Sequence, residues 1–167
     1  MIVSETYSIE DCDVYIGGSV VPSYLTIPTG MSVTSNGSYI TITTSTSGEK
    51  VVWLPYTVTV DEDYVFETEI AQAGTSQSIA LYYDDGYGYH ESSSYNAKLS
   101  GVTDGRVSKS VASGDKFILK HEGTTLTAYI NDQYINSKTG SITYHRFGYY
   151  TNNGRVQHLK NIKIKRL

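Results

Sequence analysis

Residues 31–46 read MSVTSNGSYITITTST and show a pattern that recurs along most of this chain. Apolar and polar side chains alternate on both sides of Asn36-Gly37, a dipeptide that tolerates the positive φ angles of a tight hairpin turn. Successive side chains of a strand point to opposite faces, so this alternation is typical of half-buried strands. The stretch therefore predicts an antiparallel β-hairpin.

The same signals continue through the rest of the sequence. Glu122-Gly123 separates two further alternating segments, and Asn131-Asp132 and Asn152-Asn153-Gly154 mark later turns. No segment has helical periodicity, apart from short loop pieces near 107–113 that could form helical turns. Many short strands separated by turn signals are typical of a two-sheet sandwich or a barrel. We predict one all-β domain over residues 1–167.

Composition excludes several classes of protein. Hydrophobic residues make up 39% of the chain and charged residues 18%, with 16 tyrosines, which is too apolar and aromatic for a disordered chain. A formal net charge of −4 argues against a nucleic-acid partner. In the basic run KNIKIKR (160–166), Lys163 and Lys165 are predicted to form the solvated face of a terminal strand, opposite Ile162 and Ile164. No apolar run approaches the roughly 20 residues of a membrane span, so membrane insertion is not expected.

We predict neither an export signal nor a reactive thiol in the N-terminal region. Met1 is not followed by a basic segment leading into an apolar one, so no signal peptide is expected. Cys12 is the single cysteine, which excludes an internal disulfide. The flanking Asp11 and Asp13 oppose thiolate formation. We predict a half-buried structural thiol near the first strand.

Four segments in the later part of the chain occur in a familiar order. They are YVFETEI (64–70), SIALYYDD (78–85), GDKFILKHEGTTLTAYINDQYI (114–135) and FGYYTNNGRVQHLKNIKIKRL (147–167). In this order they resemble strands of the concanavalin A-like lectin and glucanase superfamily, which includes laminin G-like modules and domains of phage tail and fibre receptor-binding proteins. The resemblance implies a concanavalin A-like jelly roll, an antiparallel β-sandwich of two sheets.

The resemblance also implies a function. It favours a non-catalytic, lectin-like module that binds cell-surface carbohydrate, as a phage tail or fibre component for receptor binding and host adhesion. The implied location is the virion for a phage protein and the cell surface otherwise. A homo-oligomer or a place in a larger tail or fibre assembly is compatible with this role. Two alternatives remain: a glycoside hydrolase or lyase on the same fold, and a structural tail or capsid assembly domain without sugar affinity.

Glucanases of this superfamily carry three acidic residues along one strand. The matching strand here offers Glu67 and Glu69, whose side chains share one face by strand alternation. The third acid is absent, because position 71 is Ala and position 72 is Gln. Retaining hydrolysis needs two carboxyl groups about 5–5.5 Å apart across the sugar. No catalytic residue is therefore predicted.

Asp84 and Asp85 are the candidate metal ligands. Laminin G-like and legume-lectin relatives often hold calcium near such loops, so the resemblance implies a calcium site there. Calcium takes six to eight oxygen ligands, and two aspartates would need completing by other groups. The alternative is that Asp85-Gly86 forms only a turn. The four histidines lack the spacing of a zinc site.

Aromatic side chains provide the candidate binding site, above all in YYDDGYGYHESSSYN (82–96). A sugar ring has an apolar face and a rim of hydroxyl groups, so aromatic rings beside hydrogen-bonding side chains suit it. The predicted ligand-binding residues are Tyr83, Asp85, Tyr87, Tyr89, His90, Tyr144, His145, Arg146, Tyr149 and Asn152. The alternative is a tyrosine-rich sheet face that shields the sandwich core.

Overall fold

The fold is described from a computed structural model. The structure describes residues 8–45, 49–59, 62–72, 78–83, 86–91, 96–99, 107–108, 112–139, 144–152 and 156–167. Side chains are described for residues 8–45, 50–57, 62–72, 112–139, 147–149 and 156–167.

Strands dominate the described residues, and the only helical element there is a single 3-10 turn, Ile9–Asp11. The strands are β1 (Val14–Ile16), β2 (Met31–Ser35), β3 (Ile40–Thr44), β4 (Glu49–Thr59), β5 (Tyr64–Ile70), β6 (Ser78–Tyr83), β7 (Gly86–Glu91), β8 (Asn96–Leu99), β9 (Val107–Ser108), β10 (Lys116–Glu122), β11 (Thr125–Ile130), β12 (Gln133–Thr139), β13 (Tyr144–Asn152) and β14 (Val156–Arg166).

These strands form two antiparallel sheets. The eight-stranded sheet has the order β12-β11-β10-β5-β14-β3-β2, and β1 also pairs with β14. The six-stranded sheet has the order β4-β13-β6-β7-β8-β9. The two sheets pack as a sandwich, so the predicted all-β jelly-roll class is confirmed. The loop pieces near 107–113 were candidates for helical turns, and of these residues Val107 and Ser108 form β9 instead.

The turns follow the sequence signals. Gly37 has φ +92° between β2 and β3, and Asn36 Oδ1 accepts hydrogen bonds from the backbone N–H groups of Ser38 and Tyr39, each at 3.0 Å. Gly123 (φ +61°) and Asn131 (φ +53°) turn the chain between β10, β11 and β12. These left-handed conformations suit Gly and Asn, which explains why the turns could be located from sequence.

The core lies between the sheets and is aromatic at its centre. All three phenylalanines of the chain, Phe66, Phe117 and Phe147, are 1% exposed or less. The Phe147 ring meets the rings of Phe66 and Tyr64 edge to face, with centroids 4.9 and 5.0 Å apart. Such pairs add to the stability gained from apolar burial.

Cys12 is half-buried beside β1, as predicted, and burial raises the pKa of its thiol. Within the part of the chain that the structure describes, no helix has the length and hydropathy of a membrane span.

Candidate functional site

The buried residues of β4 and β13 show which face of the six-stranded sheet points away from the core. Val52 and Leu54 of β4 and Phe147 and Tyr149 of β13 are at most 2% exposed and belong to the core. Side chains alternate along a strand, so the positions between them lie on the face away from the core. Trp53 on β4 and Gly148 on β13 therefore lie on the outer face, where Trp53 is half-buried.

On this outer face, paired residues of four neighbouring strands form a row. Gly148 is paired with Trp53 on one side and with Tyr82 of β6 on the other, and Tyr82 is paired with Tyr87 of β7. Neighbouring strands lie about 4.8 Å apart, so the row spans roughly 14 Å across four strands. Three of its four positions are aromatic residues, and the fourth is a glycine.

The register divides the predicted binding residues between two faces. Alternation from Gly148 and Tyr82 places five of them at outer-face positions: Tyr87, Tyr89, Tyr144, Arg146 and Asn152. The same alternation places three at positions that share a face with Tyr149: Tyr83, His90 and His145. Asp84 and Asp85 lie outside the described residues. The binding roles of these residues stay predictions.

Tyr149 is the exception, because its side chain is described. It is 1% exposed, and its hydroxyl oxygen lies 2.5 Å from Thr68 Oγ1 on the opposite sheet. Burial raises the pKa of this phenol well above its ordinary value. The prediction of Tyr149 as a ligand-binding residue is therefore wrong, since the ring packs in the core and its hydroxyl has an internal partner.

Gly148 is a feature that the sequence analysis did not select. A Cβ atom there would lie 2.6 Å from Val51 Cγ1, 2.7 Å from the Val52 carbonyl oxygen and 2.8 Å from Trp53 Cε3, closer than real Cβ contacts. Its φ is outside the left-handed region, so the glycine serves to make room rather than to turn the chain. A glycine inside the aromatic strand RFGYY was the available signal, since glycine in a strand often marks a close approach.

Glu67 and Glu69 lie on the outer face of the other, eight-stranded sheet. Glu67 Oε1 is 3.9 Å from the ammonium nitrogens of both Lys116 and Lys163. Glu69 Oε1 is 3.4 Å from Lys160 Nζ, and its Oε2 accepts a 2.8 Å hydrogen bond from Asn161 Nδ2. Both carboxylates are therefore engaged by side chains of the adjacent strands β10 and β14.

Metal ligands do not cluster in the described residues, where no three His, Cys, Asp or Glu side chains could share an ion. His121 is fully buried and has its Nδ1 3.0 Å from the Glu62 carbonyl oxygen. His158 has its Nδ1 2.8 Å from Thr41 Oγ1. These contacts give the two histidines structural roles.

The fold is shared with known carbohydrate-binding proteins. The carbohydrate-binding module CBM66 from Bacillus subtilis superposes with a TM-score of 0.58 at 13% identity, over 82% of this chain and 96% of that one. The carbohydrate recognition domain of Emp47p gives a TM-score of 0.67 at 9% identity, over 95% of this chain and 98% of that one.

A third similar structure is the exoplasmic/lumenal domain of VIP36 in its Ca²⁺/Man3GlcNAc-bound form. It gives a TM-score of 0.60 at 12% identity, over 91% of this chain and 87% of that one. No protein-family model matches the chain, and no curated protein sequence matches it. The structural similarities define the fold as a lectin-like, concanavalin A-like jelly roll, in agreement with the resemblance seen in sequence.

Proposed function

We propose that this chain is a non-catalytic recognition module that binds cell-surface carbohydrate on the outer face of its six-stranded sheet. The observation that carries the proposal is the cross-strand row of Trp53, Gly148, Tyr82 and Tyr87. Aromatic residues and hydrogen-bonding residues occupy neighbouring positions on this face, as recognition of a sugar requires. Similar folds that carry a carbohydrate-binding function support the proposal by analogy.

A hydrolase or lyase on the same fold is the second candidate. The acid pair that the resemblance to glucanases suggested for catalysis is Glu67 and Glu69, and lysine ammonium groups within 4 Å engage both carboxylates. A glycosidase pair must face a bound sugar and keep one carboxyl protonated. The two carboxylates are paired with lysines within the sheet, which supports binding without turnover.

Calcium at Asp84 and Asp85 forms part of the proposal. Its support is the resemblance to calcium-holding lectins and the Ca²⁺-bound form of VIP36 among the similar folds. Isothermal titration of the chelator-treated protein with CaCl₂ tests this site, with Asp84→Asn/Asp85→Asn as the matched variant. We expect saturable binding that the variant loses. Equal heats from the two proteins would remove calcium from the proposal.

The biological setting that we propose is a phage tail or fibre, where the module contributes to receptor binding. Its support is the resemblance of the chain to domains of tail and fibre proteins, together with a disulfide-free composition. Fluorescently labelled protein should bind intact bacterial cells and should lose that binding after the surface polysaccharide is removed. A structural assembly domain without sugar affinity would bind neither preparation.

A glycan array probed with the purified chain tests the central claim. We expect selective binding to a small set of glycans, and competition by the same glycans free in solution. A structural assembly domain would give no signal that soluble glycans compete away. Incubation of each bound glycan with the protein, followed by analysis of its length, checks that the ligand is recovered intact.

A further inference from the structure

Strand β5 lies between two strands that carry lysines on the outer face of the eight-stranded sheet. Glu69 of β5 is paired with Lys116 of β10 on one side and with Lys160 of β14 on the other. Glu67 of β5 is paired with Lys163 of β14. These positions alternate with residues that are buried in the core, so the five side chains share the outer face. Three ammonium groups therefore gather around two carboxylates.

A β-bulge brings two of these lysines to the same face. Lys160 and Lys163 are three residues apart, and an odd separation would place them on opposite faces of a regular strand. The register of β14 against β5 shifts between them, and Asn161 has φ +48° at this point. Such a bulge inserts one extra residue and re-aims the side chains beside it. The bulge thus builds a lysine cluster that a regular strand would not provide.

The asparagine of the bulge also fixes the carboxylate of Glu69. Asn161 Nδ2 donates a 2.8 Å hydrogen bond to Glu69 Oε2, and Asn161 Oδ1 accepts one of 2.9 Å from the Tyr15 hydroxyl group. The other oxygen, Glu69 Oε1, lies 3.4 Å from Lys160 Nζ. Both oxygens of this carboxylate therefore have partners on the sheet, and the Lys160 ammonium group is held beside a fixed anion.

The ammonium groups lie nearer to solvent than the carboxylates do. The lysine side chains are 44% (Lys116), 37% (Lys160) and 24% (Lys163) exposed, whereas those of Glu67 and Glu69 are each 16% exposed. A group that approaches this face from solvent therefore meets positive charge first. The three lysines also outnumber the two glutamates, so the cluster is opposite in sign to the chain as a whole, which has a formal net charge of −4.

The ammonium groups keep hydrogen-bond donors for a ligand, since each has three N–H groups. Lys116 Nζ and Lys163 Nζ each lie 3.9 Å from the same atom, Glu67 Oε1, which is longer than a hydrogen bond. The two nitrogens are therefore at most twice that distance apart. A carboxylate or a phosphate carries two or more acceptor oxygens and can bridge them with hydrogen bonds of about 2.8 Å.

We propose that Lys116, Lys160 and Lys163 form a second carbohydrate contact, on the opposite side of the sandwich from the aromatic row, and that it binds the acidic group of an anionic glycan. The acidic group is the carboxylate of a uronate or the phosphate of a phosphorylated sugar, because both can accept from two ammonium groups at once. This inference rests on the proposed function for the class of ligand and adds a separate site that requires charge. Partly exposed ion pairs are weak and are screened by salt, so the contact has modest affinity.

Isothermal titration with matched charged and neutral probes tests the contact. Trigalacturonate is compared with its methyl ester, and mannose 6-phosphate with mannose, so that each pair differs in the acidic group. Inorganic phosphate serves as the ion without a sugar. The proteins are the wild type, Lys116→Gln, Lys163→Gln and Lys138→Gln. Lys138 lies on β12 at the edge of the same sheet, so Lys138→Gln is the matched control for the loss of one positive charge.

We expect the wild type to bind at least one charged probe more tightly than its neutral partner at low salt, and to lose this difference in about 0.5 M NaCl. Lys116→Gln and Lys163→Gln should each weaken binding of that probe about fivefold, the size of a partly exposed ion pair. Lys138→Gln should bind as the wild type does. All melting temperatures should stay close to that of the wild type, because glutamine keeps a hydrogen-bond donor beside Glu67. The pair of probes that shows the difference identifies the acidic group as a carboxylate or a phosphate.

The inference is overturned by a charged probe that binds no better than its neutral partner, or that binds the two lysine variants as tightly as the wild type. Inorganic phosphate that binds as tightly as mannose 6-phosphate would contradict a glycan ligand. These results leave the proposed function standing if the wild type still binds neutral glycans on the array. Lysine-dependent binding of an acidic probe, by a protein that binds no neutral array glycan, would instead overturn the site on the six-stranded sheet and leave this contact.

Discussion

Thr68 and Tyr149 connect the two sheets through the middle of the core. Thr68 Oγ1 on β5 lies 2.5 Å from the hydroxyl oxygen of Tyr149 on β13, and both side chains are at most 1% exposed. A tyrosine in the core needs a partner for its hydroxyl group, and a threonine on the facing strand provides it. This contact explains why a residue from the aromatic strand RFGYY belongs to the interior.

Thr68→Val should therefore be more destabilising than the loss of one exposed hydroxyl. The variant leaves the Tyr149 hydroxyl buried without its partner, which costs about 1–3 kcal/mol of unfolding free energy. For a chain of this length, each kcal/mol lowers the melting temperature by roughly 2–4 °C. Chemical and thermal denaturation measure the effect. The double variant Thr68→Val/Tyr149→Phe should lose less than the sum of the single variants, and strict additivity would contradict the coupling.

Tyr87 and Tyr89 provide a test of the outer face. Their register positions lie on the same side of the sheet as Gly148. If they bind the glycan, Tyr87→Ala and Tyr89→Ala should each weaken binding by about thirtyfold, equivalent to about 2 kcal/mol, with unchanged melting temperatures. Titration calorimetry and thermal denaturation separate the outcomes, with Tyr134→Ala as the control. A melting temperature lowered by several degrees with full affinity would identify these rings as structural.

Glycan turnover is expected to be absent. Glu67 and Glu69 are engaged by Lys116, Lys160 and Lys163, so their carboxylates act as ion-pair partners within the sheet. Incubation with β-glucans and with uronate polysaccharides should release neither reducing ends nor unsaturated products. Release that disappears in Glu67→Gln or Glu69→Gln would show that the pair is catalytic after all.

His158 should make stability depend on pH. Its Nδ1 lies 2.8 Å from Thr41 Oγ1, and the Tyr39 ring packs edge to face against its imidazole at 5.3 Å. Burial lowers the pKa of His158 from its ordinary value of 6.5. The unfolded chain therefore binds the proton more readily than the folded chain, so stability is fully present above pH 6.5 and falls as the pH drops towards the folded-state pKa.

The measurement is the melting temperature between about pH 7.5 and 5.5, above the range where most carboxylates titrate. We expect a decrease towards low pH in the wild type and a shallower decrease in His158→Gln, whose side chain can still bond to Thr41. Parallel curves for the two proteins would exclude His158 as the source of the pH dependence.

Local sequence determined the class of fold. Alternation at 31–46 and turn residues such as Gly37, Gly123 and Asn131 act over a few residues, and each agrees with the structure. Backbone preferences at these positions are short-range, so they can be read without knowing what lies nearby. The strand pattern by itself indicated a two-sheet sandwich or a barrel, and the resemblance of four later segments to a known superfamily pointed to the jelly roll.

The tertiary structure decided which face each aromatic residue occupies. Alternation assigns Tyr149 and Gly148 to opposite faces, but it does not say which face is inside. That choice depends on partners distant in sequence: Thr68 Oγ1 shares a hydrogen bond with the hydroxyl group of Tyr149, 81 positions away, and the Trp53 ring on β4 lies close to Gly148. Burial, hydrogen-bond satisfaction and close packing are properties of the assembled sandwich. Only that assembly separates a core tyrosine from a surface one.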